Sequence, residues 1–155
     1  MKQIRKILVP IDFSECARHA LAEALEMAKA FQAQITLLHV EDLSLPPGEL
    51  AFAANFGGGD LVAKMLAESE ALLAAEKKAV AEVGVPIETQ HGRGVPYAEI
   101  VRIARIQSFD LIVMGTHGRT GLKHVLIGSV AERVVRLASC PVLTVRPPGF
   151  RFESI

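Results

Sequence analysis

One stretch of this chain has the residue types and spacing to hold a phosphate. It reads Gly115-Thr116-His117-Gly118-Arg119-Thr120-Gly121-Leu122-Lys123-His124-Val125-Leu126-Ile127-Gly128-Ser129, with four glycines in fifteen residues. Glycine lets backbone N–H groups approach a ligand closely. The stretch runs into a helical pattern, whose first turn adds unpaired N–H donors and the positive end of a dipole. Together these features suit a phosphate. The same residues also suit a plain surface loop with Ser129 as an ordinary N-cap.

Other side chains invite weaker readings. Asp12 ends an apolar run, where it serves either as a strand-end cap or as an acceptor for sugar hydroxyls. His39 sits on an apolar strand and reads as a satisfied core histidine. Glu41 and Asp42 read as a solvated strand end, so no metal ligand set is expected. His117, Lys123 and His124 read as solvated loop residues within reach of a phosphate. Cys16 and Cys140 are far apart and lack CxxC spacing, so both are expected as reduced, unpaired thiols. The P-loop pattern GxxxxGK[ST], the GxSxG elbow and HExxH are all absent. The dinucleotide pattern GxGxxG fails at Gly92-Arg93-Gly94-Val95-Pro96-Tyr97, which lacks the third glycine; Gly92 and Gly94 read as a turn.

The elements that must position these residues alternate regularly. Residues 6–12, 34–40, 85–91, 109–115 and 141–147 read as strands; 6–12 and 109–115 are apolar enough to be buried on both faces. Helical patterns occupy about 15–32, 60–83, 96–107 and 129–138, with Ser14 as an N-cap and Gly84 as a stop. Between them, 41–59 holds Pro46, Pro47 and Gly57-Gly58-Gly59 and reads as a long loop; Leu50, Phe52 and Phe56 could fold down as a lid. Strands alternating with helices mean βαβ units and a mainly parallel sheet. Periodicity alone leaves the strand order open. In such sheets ligands collect beyond the carboxyl ends of the strands, at a topological switch point.

Composition narrows the function classes. The 155 residues suit one domain. Seventeen basic and seventeen acidic residues cancel, which argues against a nucleic-acid coat or an anionic-membrane binder. The absence of Trp and a single Tyr leave few stacking platforms for single strands. No apolar run reaches the ~20 residues of a membrane span, and MKQIRKILVPID breaks too early for a signal peptide. The neutrality is only an average. Residues 1–110 hold eleven basic and fifteen acidic residues, against six and two in 111–155. No acid occurs between Leu111 and Ala131, so the positive balance falls where the glycines fall.

The spacing Gly115-x2-Gly118-x9-Gly128-Ser129, the opening KILVPIDFSECARHAL and the ending GSVAERVVRLASCPVLTVRP resemble the ATP-binding branch of the universal stress protein family. The likeness covers nearly the whole chain, 1–155, as one domain. It implies a Rossmann-like α/β fold: an open parallel five-stranded sheet of order 3-2-1-4-5 with helices on both faces. It implies ATP, ADP or AMP as ligand, with or without Mg²⁺. By position, Pro10, Ile11 and Asp12 fall near the base and ribose, and Val40 lines the adenine. Met114 and Gly115 flank the ribose. Gly118, Arg119, Gly128, Ser129 and Val130 form the phosphate-binding stretch. The resemblance also implies a homodimer through strand 142–145, although Pro141, Pro147 and Pro148 could instead blunt that edge. The location expected is cytoplasmic. A regulatory, nucleotide-binding stress-response module is favoured over a slow ATPase or self-phosphorylating protein using Thr120 or Ser129, because no general base is apparent.

Overall fold

The computed structural model describes residues 3–42, 58–118, 127–147 and 149. Strand β1 (Lys6–Pro10) leads to helix α1 (Glu15–Phe31) and then β2 (Gln34–Glu41). Helix α2 (Gly58–Ala79) and a short 3-10 turn (Ala81–Val83) precede β3 (Ile87–Arg93). Helix α3 (Pro96–Ile106), β4 (Leu111–Gly115), α4 (Ser129–Leu137) and β5 (Val142–Val145) complete the order. The five strands form one parallel sheet of order β3-β2-β1-β4-β5, as the resemblance implies. The putting of β1 between β2 and β4 is carried by the pairs Ile7↔Ile35 and Ile7↔Leu111.

Alternation along the central strands builds two cores. Ile7, Val9, Ile35, Leu37, Leu111 and Val113 face α1 and Leu73 of α2. Leu8, Leu38, Ile112 and Met114 face α3 and α4 through Ile100, Ile103, Ala131 and Val134. A strand buried on both faces has no polar side to show, which is why 7–9 and 111–114 are unbroken apolar runs. Each buried Ile, Leu or Val contributes about 1.5–3 kcal/mol relative to exposure. Along α1, Ala17, Ala20, Leu21, Ala24, Leu25 and Ala28 are buried at helical spacing. The small alanines let this helix lie close to the sheet.

Element ends follow local chemistry. The Ser14 side chain accepts from the Ala17 N–H at 3.2 Å and caps α1, as expected. Phe109 belongs to the turn after α3, not to β4: its N–H donates to the Ala104 carbonyl, and Ser108 is left-handed at φ 54°. The Asp110 carboxylate then accepts the Arg5 and Lys6 N–H groups and starts β4 beside β1. Gly92, expected in a turn, is within β3. A Cβ there would stand 2.9 Å from Glu99 Cγ, so close packing of α3 on the strand demands glycine. The turn is at Gly94, with φ 123°. On α2, Leu73 is buried but Met65 and Leu72 are exposed, so only part of the expected apolar face meets the sheet. The lid residues Leu50, Phe52 and Phe56 lie outside the described residues, as do 150–155. No helix among the described residues is long and apolar enough to cross a membrane.

Leu37 is fully buried between β1 and β3 and faces α1. Leu37→Ala is expected to lower the unfolding free energy by about 2–5 kcal/mol in a urea titration. A loss below about 1 kcal/mol would show that this face is not the core described.

Candidate functional site

The chain parts at the carboxyl ends of β1 and β4. β1 continues into α1 on one face of the sheet, and β4 leads to α4 on the other. Between the two exits lies a cleft of about 490 Å³, within the usual range for small-molecule sites.

Its β1 side is a tight turn. The Ile11 N–H donates to the Leu38 carbonyl at 2.8 Å, extending the strand by one bond. Asp12 Oδ1 accepts the Ser14 N–H at 3.0 Å, and Phe13 takes the left-handed φ of 65°. This turn fixes the Asp12 carboxylate at the cleft mouth.

The β4 side is built on close approach. The Thr116 N–H donates to the Val145 carbonyl at 2.8 Å, and the Gly128 N–H to the Thr116 carbonyl at 2.6 Å. The second bond closes the glycine loop at its base, bringing residue 128 back beside residue 116. A Cβ on Gly115 would meet Cys16 Sγ at 2.7 Å and the Cys16 backbone at 3.2 Å. One on Gly118 would meet Asp12 Oδ2 at 2.8 Å, and one on Gly128 the Thr116 carbonyl at 3.1 Å. The motif glycines thus allow the two exits to touch, before any ligand is considered.

Helix α4 starts inside this cleft. Gly128, at φ −71° and ψ 158°, is its N-cap, and no side chain caps it. The alternative of Ser129 as an ordinary N-cap does not hold: Ser129 is the first helical residue, and it is exposed. The first turn therefore presents N–H groups and the positive dipole end with no side-chain cap from Gly128.

Ten of the eleven sequence-predicted site residues line this one cleft. Pro10, Ile11 and Asp12 come from the end of β1, Val40 from β2, and Met114 and Gly115 from β4. Gly118, Gly128, Ser129 and Val130 come from the loop and α4. Arg119 lies outside the described residues, as do Thr120, Lys123 and His124. His117 lines the cleft, with Nδ1 2.8 Å from the Thr116 hydroxyl, rather than standing in solvent. Pro96 and Ile100 of α3 also line it. The sequence reading did not place them there; their signal was a helix start directly after a strand end.

The β2 end holds a second group of polar side chains. His39 is buried as expected, and its Nδ1 lies 2.7 Å from the Ile11 carbonyl. Glu41 is not a solvated strand end: its side chain is 14% exposed and accepts the Ser69 hydroxyl at 2.6 Å. His91 sits opposite His39 on β3. Burial, with His39 beside it, pushes the His91 imidazole below the usual histidine range. Neither Cys16 nor Cys140 is in a disulfide, and Cys16 is buried.

With this geometry in view, the likenesses are specific. A model of the universal stress protein family matches residues 3–146. Universal stress protein MJ0531 of Methanocaldococcus jannaschii is 42% identical over 145 residues, spanning 93% of this chain and 83% of its own. The solved structure of MJ0577 superposes with a TM-score of 0.77 at 36% identity, over 99% of this chain and 100% of that one. A universal stress protein solved in complex with cAMP shares the fold at 22% identity and a TM-score of 0.68, over 94% of this chain and 99% of that one.

Gly115→Ala is expected to destabilise the fold by about 1–3 kcal/mol, because the new methyl group must displace Cys16. At roughly 2–4 °C per kcal/mol for a chain of this size, calorimetry resolves that loss. An unchanged melting temperature would mean that α1 and β4 do not meet as described.

Proposed function

This chain belongs to the universal stress protein family, and on that premise we propose that it is a single-domain regulatory module of the stress response that binds ATP, ADP or AMP. The observation that carries the reading is one cleft in which an uncapped helix N-terminus, an acid and an apolar wall meet. In this reading the Asp12 carboxylate accepts from ribose hydroxyls. Pro10, Ile11 and Val40 offer surface and backbone to the adenine, and Met114 and Gly115 flank the sugar. Gly118, Gly128, Ser129 and Val130 border the phosphates, with the first-turn N–H groups of Ser129 and Val130 as donors and Arg119 assigned to them by the resemblance. Mg²⁺ accompanying the phosphates keeps several waters and needs few protein ligands. The cAMP complex in the same fold supports an adenine nucleotide as an occupant this architecture can take. The free thiols fit a cytoplasmic location.

Ser129→Asp separates binding from folding. An acid in the first turn suits the helix dipole, so the melting temperature should hold or rise slightly. Beside a phosphate the same carboxylate is repelled, and ATP affinity measured by calorimetry should fall at least about tenfold. Unchanged affinity would place the phosphates elsewhere. With the wild type, ATP loss over hours should not exceed buffer. Turnover above buffer would replace the binding module by a slow ATPase or a self-phosphorylating protein.

We also propose a homodimer through β5. It is an edge strand of the sheet, and Leu143 on it is 37% exposed. An apolar edge invites antiparallel pairing with its copy, and a lysine there opposes it. Light scattering should give the mass of two chains for the wild type and of one for Leu143→Lys. A monomeric wild type would remove this interface.

A further inference from the structure

Three side chains of β2 and β3, two of them bordering the cleft, converge in a way that the nucleotide reading does not use. His39 and His91 are paired across the two strands. Glu41 follows His39 by two residues and so shares its face. One ligand-type atom from each of the three lies within 4.8 Å of the other two. His39 Nδ1 is 2.7 Å from the Ile11 carbonyl oxygen. A carbonyl only accepts, so Nδ1 carries the proton and Nε2 presents a lone pair. That Nε2 lies 3.6 Å from Glu41 Oε2. His91 Nε2 is buried and has no hydrogen-bond partner among the described residues. A buried imidazole nitrogen with no partner is costly, and a cation held between it, His39 Nε2 and the Glu41 carboxylate satisfies it.

The geometry points to a divalent transition-metal site of the zinc class, ligated by His39 Nε2, the Glu41 carboxylate and His91 Nε2. Two imidazoles and one carboxylate are a nitrogen-rich set that suits Zn²⁺; Ca²⁺ and Mg²⁺ take oxygen ligands. Bonds of ~2.0–2.2 Å to a tetrahedral ion bring ligands to ~3.3–3.5 Å of each other. The His39–Glu41 pair is already near that spacing, and side-chain rotation covers the rest. The surroundings are those of a supported site. The Ile11 carbonyl fixes the His39 tautomer, as such partners do for metal-bound histidines. The Ser69 hydroxyl orients Glu41 from α2. The Phe13 ring, 4.6 Å from that of His39 between centroids, covers one side. Three protein ligands leave a tetrahedral ion one position for water.

The test uses the full chain, stripped with a chelator and free of nucleotide, titrated with Zn²⁺ against a chromogenic zinc indicator. The wild type should take one equivalent. His91→Gln and Glu41→Gln should each weaken binding at least about tenfold. His19→Ala, an exposed histidine on α1, should leave it unchanged. His91→Gln removes a buried nitrogen that lacks a partner, so its circular dichroism should match the wild type. Loading with Co²⁺ should give strong visible d–d bands without the near-ultraviolet thiolate band that Cys16 or Cys140 would add. Equal binding by the wild type and His91→Gln, or no stoichiometric binding by the wild type, would overturn the site. Because nucleotide is absent throughout, its failure would be distinct from failure of the nucleotide reading.

Discussion

β1 and β4 lie side by side at the centre of the sheet, yet the chain leaves them in opposite directions. From β1 it turns into α1 on one face, and from β4 it leads to α4 on the other. A parallel pair sends both exits to the same end of the sheet, so diverging exits leave a gap between them. The Asp12 turn, the base of the glycine loop and the start of α4 all border that gap. Had β4 paired beyond β3, these segments would not share a cleft.

The glycines have two separate physical consequences. Gly115, Gly118 and Gly128 each lie where a methyl group would strike Cys16, Asp12 or the Thr116 carbonyl. Their first effect is to let the two exits approach. Their second is to bare backbone N–H groups at a helix start with no capping side chain. Packing imposes glycine at these positions, and the proposed phosphate binding calls for the same residue there, so a spacing pattern would report both together.

Much of this was legible along the chain because the signals are local. The unbroken apolar runs at 7–9 and 111–114 identify strands covered on both faces, and alanines at helical spacing identify α1. Asp12, Val40 and the Gly128–Val130 segment were placed by the family's motif, and they do line one cleft. Misreadings arose where a partner was distant in sequence. Gly92 resembled a turn residue until Glu99 packed against it. Glu41 resembled a solvated strand end until Ser69 of α2 reached it. Phe109 resembled the start of β4, but its N–H closes the end of α3.

The sequence by itself determined the element types, their alternation and the likeness that implied the strand order, because periodicity, capping and glycine spacing are properties of neighbours. It also showed that positive balance gathers in 111–155 while the whole chain is neutral. Only the tertiary structure decided which side chains meet. His39 and His91 are each unremarkable in their own strands, and no local pattern relates them. The β2–β3 register sets them opposite each other, and burial leaves His91 Nε2 without a hydrogen-bond partner among the described residues. Register and burial are set by the whole sheet and its helices, so their consequences for single side chains appear only once the fold is formed.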